Sequence, residues 1–251
     1  MNRRTVVGAA AVVVFLVAWQ LIGSHNIVRS DLISYPSEVA ATFARMTASG
    51  ELGKNAALSI MEFVQGYVPA VVAGIASGVV LALVRPLRLF FDPLLVAIYT
   101  APAIAFIPIL VVWFGVGVQS KIVIVFLSAV FPIMINTRTG VVEVAEPWLR
   151  AVRAFGATRM QLIAKAILPG SLPAIMAGLR LALGRGIVAL IAAEMYVSLA
   201  GIGRLIQVYS SAARASEIIV LTVVIAVFGF ACVSLVRTIE QRLGTWRSDF
   251  E

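Results

Sequence analysis

Charged residues are scarce in this chain of 251 residues, at 13% of the sequence, whereas soluble proteins carry roughly 25%. Hydrophobic residues make up 61%, and the mean hydropathy is +1.02. Apolar runs of about 20 residues, the length that a helix needs to cross a bilayer, recur along the sequence. The composition therefore excludes a soluble globular protein and predicts a single membrane domain over residues 1–251.

Reactive side chains are also scarce. The chain has one histidine, His25, and one cysteine, Cys232, so it can form neither an internal disulfide nor a cluster of metal ligands from these types. No Ser/His/Asp set can be assembled around the one histidine, and no GxxxxGK[ST] phosphate-binding loop occurs. We therefore predict no catalytic residue, no metal site and no cofactor bound by this chain.

Six apolar segments predict six transmembrane helices. They cover residues 6–22, 59–84, 92–118, 122–135, 174–197 and 218–236. The first segment follows two arginines, as the apolar part of a cleaved signal peptide does, but it is long and no clear cleavage site precedes His25. An uncleaved span is the favoured interpretation.

Two of these segments carry glycines or prolines that constrain packing. Gly74 and Gly78 form a GxxxG pair, which permits close helix contact either with a span of the same chain or with a second copy. Pro93, Pro102 and Pro108 interrupt the third segment. Because each proline removes a backbone donor, we predict a broken helix of the kind tolerated where it lines a cavity or is buried in protein.

The basic residues predict the orientation. With the N-terminus inside, the cytoplasmic side carries Arg3, Arg4, Arg85, Arg88, Arg138, Arg150, Arg153, Arg159, Lys165, Arg237, Arg242 and Arg247. The outer side carries only Arg29, Arg45, Lys54, Lys121, Arg204 and Arg214. This bias places both termini in the cytoplasm. The net charge of +8 then reflects topology and anionic lipid, and nucleic-acid binding is not predicted.

The longest polar interruption lies between the fourth and fifth segments, at residues 143–172. Its first half alternates apolar residues such as Trp148 with basic residues such as Arg150, until Gly156 breaks the pattern. A second amphipathic turn follows and ends near Pro169. The pattern predicts two short helices hinged at the glycine. Amphipathicity alone would fit a basic hairpin lying on the inner leaflet.

This interruption resembles a known motif. Pro169, in a Leu-Pro pair, lies thirteen residues after Gly156, as in the cytoplasmic EAA loop of ATP-binding-cassette (ABC) importer permeases. Further residues fall where nitrate, sulfonate and taurine-type permeases carry similar ones. These are Ile107-Pro108, Trp113-Phe114-Gly115, Ser120-Lys121-Ile122, Phe131-Pro132, Gly178-Leu179-Arg180, Ala193-Glu194 and Gly201-Ile202-Gly203. The ordered series makes the resemblance specific over nearly the whole chain.

The resemblance implies an all-α, type I ABC importer (MetI-like) permease fold with six transmembrane helices and a core at about residues 55–240. It implies a transport subunit of the bacterial inner membrane, not an enzyme. The expected partners are an ATPase that holds ATP and Mg²⁺, a second permease copy in a homodimer, and a periplasmic or lipid-anchored substrate-binding protein.

The segment 143–172, here called the coupling loop, is by this resemblance the part that docks on the ATPase. The residues expected to do so are Arg150, Ala151, Val152, Arg153, Phe155, Gly156, Ala157, Arg159, Leu168 and Pro169. Arg150 stands where the family pattern has a glutamate. Glu143 and Glu146 are candidates to supply the missing negative charge.

A translocation pathway is expected elsewhere. The resemblance implicates Tyr99, Thr100, Pro102 and Phe106 on the broken third segment, where ordinary helix packing is the alternative. Arg185 and Glu194 are ionisable residues in the fifth segment, and they serve either a pathway or a structural pair or cap.

The transported solute and the driving force stay open. A sulfonate, taurine or nitrate-like anion is one candidate. A pyrimidine vitamin precursor is the other, because anion-carrying relatives often have arginine where Tyr99 stands. The rival to an ABC permease is an ion-coupled secondary transporter that uses Glu194.

Overall fold

The computed structural model describes residues 3–24 and 34–243, and every regular element within them is a helix. The elements are α1 (Arg3–Ser24), α2 (Pro36–Ala48), α3 (Glu51–Leu83), α4 (Arg85–Thr100), a 3₁₀ turn (Ala103–Phe106), α5 (Ile107–Phe114), α6 (Val118–Val142), α7 (Glu146–Ala154), α8 (Arg159–Leu162), a π-helical turn (Ile163–Ile167), α9 (Leu168–Val197), α10 (Ile202–Ser211) and α11 (Ala215–Leu243). The all-α prediction is confirmed for these residues.

The number of spans differs from the prediction of six. Among the described residues, four helices are long and apolar enough to cross a membrane, namely α3, α6, α11 and the helix Arg159–Val197 that contains α9. A fifth arises if α4 and the segment Ala103–Phe114, which meet at 88°, count as one span. The first predicted span falls in α1, whose apolar part, Val13–Gly23, is shorter than the others. The side on which the termini lie stays a prediction.

The break in the third predicted span has a local cause. Helix α4 ends at Thr100, and both Ala101 and Pro102 have extended backbone conformations, with ψ of 135° and 108°. Proline has no N–H to continue the hydrogen-bond ladder, so the chain restarts as a 3₁₀ turn before α5. The predicted broken helix is confirmed, and its break lies at the second of the three prolines.

Small residues let α3 and α6 approach each other closely. A Cβ added to Gly66, Gly74 or Gly78 would lie 2.7–2.8 Å from a side-chain atom of Val125, Ile133 or Thr137, respectively, too close for a real side chain. Because these contacts fall within one chain, the GxxxG pair of α3 packs against α6 of the same chain. The sequence alone left this pairing open.

The described residues divide into two compact units. In the larger unit, residues 60–193 and 228 onward, buried Phe63, Val125, Leu183 and Leu190 form one core, and the Phe63 ring contacts Phe228 edge-on. These residues come from α3, α6, α9 and α11. This unit contains the coupling loop and the broken third segment.

In the smaller unit, residues up to 59 and 194–227, polar contacts tie loops and short helices together. Arg45 Nη2 lies 3.0 Å from Glu217 Oε1. The Tyr209 hydroxyl of α10 donates to the Glu51 carboxylate at 2.9 Å. Burial, followed by this hydrogen bond and the nearby negative charge, raises the pKa of Tyr209 to about 12. The hydroxyl therefore stays protonated further into the alkaline range than that of an ordinary tyrosine and keeps donating to Glu51.

Candidate functional site

The coupling loop bends at Gly156. Helix α7 ends at Ala154, and Gly156 follows with φ of +78°, in the left-handed region that side chains other than glycine rarely adopt. No neighbouring atom lies within 4 Å of the position that a Cβ would take there. Glycine is thus favoured by the backbone angle, not by crowding, and a sharp turn lies at the position of the predicted hinge.

A capping box starts the second half of the loop. The Thr158 hydroxyl accepts a hydrogen bond from the backbone N–H of Gln161 (3.3 Å), and the Gln161 side chain accepts one from the backbone N–H of Thr158 (2.9 Å). These two bonds satisfy donors that a free helix end leaves unpaired. The turn after the hinge therefore has a defined geometry.

The second half differs from the prediction of a separate short helix. Helix α8 passes through the π turn directly into α9, so Arg159–Val197 forms one helical run of 39 residues. The N–H of Leu168 bonds to the carbonyl of Ile163, five residues earlier, as a π turn requires. Pro169 consequently lies within the helical run and does not start a new one. The coupling loop is one short helix joined by a turn to the end of a span.

The two faces of the loop are unlike. On the outer face, the side chains of Phe155 and Met160 are 91% and 74% exposed. On the inner face, Leu149 and Leu162 are buried with Val141, Ala166 and Ile167 in one apolar cluster. That cluster joins α7 and α8 to the end of α6 and to the π turn that leads into α9. The loop thus presents an apolar surface outward while being fixed to two spans.

The charges of the loop lie on its exposed side. Glu146, one of two candidates for the acidic residue that Arg150 replaces, lies 3.4 Å from Arg153 of the same helix, and both side chains are more than half exposed. An exposed pair of this kind contributes little to stability. Arg150 is exposed as well. The outer surface is therefore basic around an apolar centre.

A cavity of about 550 Å³ lies in the larger unit beside the break of the third segment. It collects four of the predicted pathway residues: Tyr99, Thr100, Pro102 and Arg185. The Arg185 guanidinium carbon lies 3.9 Å from the centre of the Tyr99 ring, a cation–π contact. Phe106 and Glu194 are not among the described residues that line the cavity.

Arg180 also lines this cavity, but its charge is already paired. It forms a salt bridge with Glu240 of α11. Arg185, in contrast, contacts the ring and, at 3.5 Å, the backbone carbonyl of Tyr99, both of them uncharged groups. No acidic residue is among the described residues that line the cavity. Its electrostatic character is therefore positive, and Arg185 is the main source.

Comparison with known proteins decides the family. A family model described as a binding-protein-dependent transport system inner membrane component matches residues 70–245. The chain belongs to this family. The permease is 31% identical to the putative aliphatic sulfonates transport permease protein SsuC of Bacillus subtilis (strain 168), over 95% of this chain and 86% of the relative. It is 27% identical to the taurine transport system permease protein TauC of Escherichia coli (strain K12), over 100% and 93%.

A solved structure agrees at the level of the fold. The permease superimposes on a chain of the inward-facing MetNI methionine ABC transporter with a TM-score of 0.59, covering 74% of this chain and 91% of that one at 22% identity. The predicted type I importer fold is thereby confirmed. Together with the family match, this makes the chain a multi-pass inner-membrane permease subunit of an ABC importer.

Glu194 of the permease lies in the smaller unit, fully buried. Its carboxylate accepts hydrogen bonds from the Ser59 hydroxyl (2.6 Å) and from the backbone N–H of Gly203 (2.7 Å). Gly203 belongs to the first turn of α10, and a negative charge at this end of a helix interacts favourably with the positive end of the helix dipole. These contacts favour the structural cap over the pathway role, the two interpretations that the sequence left open.

Sequence reasoning missed one buried ion pair. Lys121 Nζ lies 2.5 Å from Glu62 Oε1, and the two residues are 2% and 0% exposed. Lys121 belongs to the first turn of α6, inside the packed unit, although the charge count placed it in an outer loop. The sequence did carry an indication of this pair. Glu62 is an isolated acidic residue in the second apolar segment, Lys121 is an isolated basic residue next to the fourth, and a charge within the membrane usually has a partner.

Proposed function

We propose that the coupling loop docks on a separate ATPase subunit through the apolar surface around Gly156. The observation that supports this most directly is the exposure of Phe155 and Met160, at 91% and 74%, on either side of the hinge. An exposed apolar patch ringed by charge is typical of a protein interaction site. Arg150, Arg153 and Arg159 supply the surrounding charge, which fits an acidic rim on the partner.

The other face of the loop suits it to transmit motion. Leu149 and Leu162 are packed with Val141 and Ile167, so a shift of α7 would also displace the end of α6 and the π turn that leads into α9. The capping box of Thr158 and Gln161 restricts the conformation of the turn itself. A packed element of this kind moves as a rigid body. Closure of an ATPase dimer would thus be passed to the spans that bear the cavity residues.

The permease supplies one coupling loop per chain, whereas ABC transporters use two ATPase sites. We therefore propose that it works as a homodimer with both termini in the cytoplasm, and that ATP and Mg²⁺ are held by the ATPase subunits. A substrate-binding protein would deliver the solute from outside. The family's binding-protein-dependent transport and the excess of basic residues in predicted cytoplasmic segments support this arrangement.

Reconstitution tests the coupling. Liposomes that hold the permease, its ATPase and the binding protein are expected to accumulate solute only when ATP is supplied on the ATPase side. Liposomes that hold the permease alone should accumulate none under a proton or sodium gradient. Uptake driven by a gradient without the ATPase would contradict the proposal and support the secondary-transport rival.

For the solute, we propose a small organic anion of the sulfonate class. Arg185 supports this, because its charge faces a cavity without an acidic residue among the described lining residues. It also stacks on the Tyr99 ring at 3.9 Å, so that face of the ring is not free to stack on an aromatic solute. The names of the two curated relatives, which refer to sulfonates and taurine, agree with this choice.

Replacing Arg185 by glutamine tests the solute class. ATP-driven uptake of a short alkanesulfonate should fall at least about tenfold, since a hydrogen bond to a charged group contributes about 1.5–3 kcal/mol. Arg185→Lys should retain part of the rate because the charge remains. Arg204→Gln removes a charge of α10 that does not line the cavity, so it is the matched control and should transport normally. Equal uptake by Arg185→Gln and the control would refute the anion site.

A further inference from the structure

An apolar groove of about 780 Å³ runs beneath the coupling loop. Its walls come from α3, α7, α9 and α11, with Ile75, Trp148, Leu172, Met176 and Ile239 among the lining residues. The volume lies within the ~300–1,000 Å³ typical of ligand pockets. The groove is separate from the cavity at Tyr99. Helix α9 contributes to both, but no described residue lines both.

Lys165 gives this groove a single charge. It belongs to the π turn Ile163–Ile167, its side chain is exposed, and it is a lining residue of the groove. No acidic side chain is among the described residues that line the same groove. Trp148, which is half exposed, lies at the groove as well. A cation and an indole next to an apolar surface form the combination found where a protein meets lipid headgroups.

We propose that the groove binds an anionic phospholipid, with an acyl chain along Leu172 and Met176 and the phosphate at Lys165. The apolar walls match a hydrocarbon chain and offer no set of polar groups that would orient a polar solute. The lone lysine selects for negative charge, because a zwitterionic headgroup brings its own cation beside it. Basic pockets between transmembrane helices bind acidic headgroups in this way.

A lipid bound in this groove would contact the coupling loop. The groove lies between α7 of the coupling loop and the flanks of α9 and α11, so a bound chain fills space directly under Trp148. Occupancy would add to the support that the Leu149 cluster gives the loop, since Ala166 belongs to that cluster and also lines the groove. The proposal concerns binding and stands whether or not the loop docks on an ATPase.

Photolabelling of the full chain in detergent micelles tests the site. The probes are phosphatidylglycerol and phosphatidylcholine with identical acyl chains, each carrying a photoreactive diazirine, and labelled peptides are identified by mass spectrometry. Phosphatidylglycerol is expected to label the peptide that contains Leu172 and Met176 about fivefold more than phosphatidylcholine, since one lysine near a lipid surface contributes about 1 kcal/mol.

Variants separate the two halves of the site. Lys165→Gln should lower the phosphatidylglycerol labelling to the phosphatidylcholine level. Leu172→Trp, which fills the groove, should remove both. Arg237→Gln deletes an exposed charge that does not line the groove and should leave the labelling unchanged. Each variant is first checked for monodisperse elution, so that a misfolded chain is not scored.

Three outcomes would overturn the proposal. One is equal labelling of the wild type by both lipids, and another is unchanged labelling of Lys165→Gln. The third is a disulfide between two copies of Leu172→Cys, made in a Cys232→Ala background, that forms in the presence of phosphatidylglycerol, since the groove would then be a seam between permeases.

Discussion

Replacing Gly156 by valine is expected to abolish ATP-driven transport while the permease still reaches the membrane in normal amount. Gly156 has φ of +78°, and a β-branched residue in this region is a genuine outlier that costs roughly 1–2 kcal/mol. The backbone at position 156 would relax to another φ angle. That change would alter the relative positions of the exposed Phe155 and Met160 side chains. Gly156→Pro should have the same effect, because proline fixes φ near −65°.

Asparagine at position 156 provides the matched control. Asparagine tolerates the left-handed region far better than valine does, and no atom lies within 4 Å of the added Cβ, so neither strain nor a clash should displace the hinge. Gly156→Asn should therefore keep most of the transport. The measurements are solute-stimulated ATP hydrolysis and uptake in liposomes, normalised to permease content. Normal uptake by Gly156→Val, or equal failure of both variants, would count against the hinge as the coupling element.

The sequence predicted this hinge but not the continuous helical run after it. A glycine that interrupts an amphipathic pattern directly predicts a turn at that residue. The path of the helix through Pro169 depends instead on hydrogen bonds made by neighbouring residues. Pro169 has no N–H, so the carbonyl four residues earlier, that of Lys165, lacks its α-helical partner. The π turn at Ile163–Ile167, where the N–H of Leu168 bonds to the carbonyl of Ile163 five residues earlier, lies directly before this proline.

The break in the third span was predicted from its prolines, whereas the role of the cavity next to it as a translocation pathway stays a prediction. Proline spacing located the break, and four of six predicted pathway residues line one cavity. Which charges in the spans are paired could not be predicted, because partners far apart in sequence meet only in the folded core. Arg180 with Glu240 is one such case, since the two residues are 60 positions apart in the sequence.

The buried pair of Glu62 and Lys121 provides the last prediction, a large loss of stability in Lys121→Met. The variant leaves the Glu62 carboxylate at 0% exposure without this ammonium, and its second oxygen, Oε2, already has no hydrogen-bond partner among the described residues. Removing one partner of a buried ion pair typically costs about 3–5 kcal/mol. We expect the free energy of unfolding to fall by about this amount. Thermal unfolding of the detergent-purified permease measures the loss.

The double variant Glu62→Leu/Lys121→Met distinguishes a lost charge partner from lost packing. With both charges gone, no uncompensated ion remains, and apolar replacements of a buried pair are often neutral or stabilising. The double variant should therefore unfold close to the wild-type temperature, although it carries one more substitution than the single variant. Lys54→Met, at an exposed lysine of the same α3 helix as Glu62, should also be close to wild type. If the double variant is no more stable than Lys121→Met, the pair matters for its shape between α3 and α6, not for its charge.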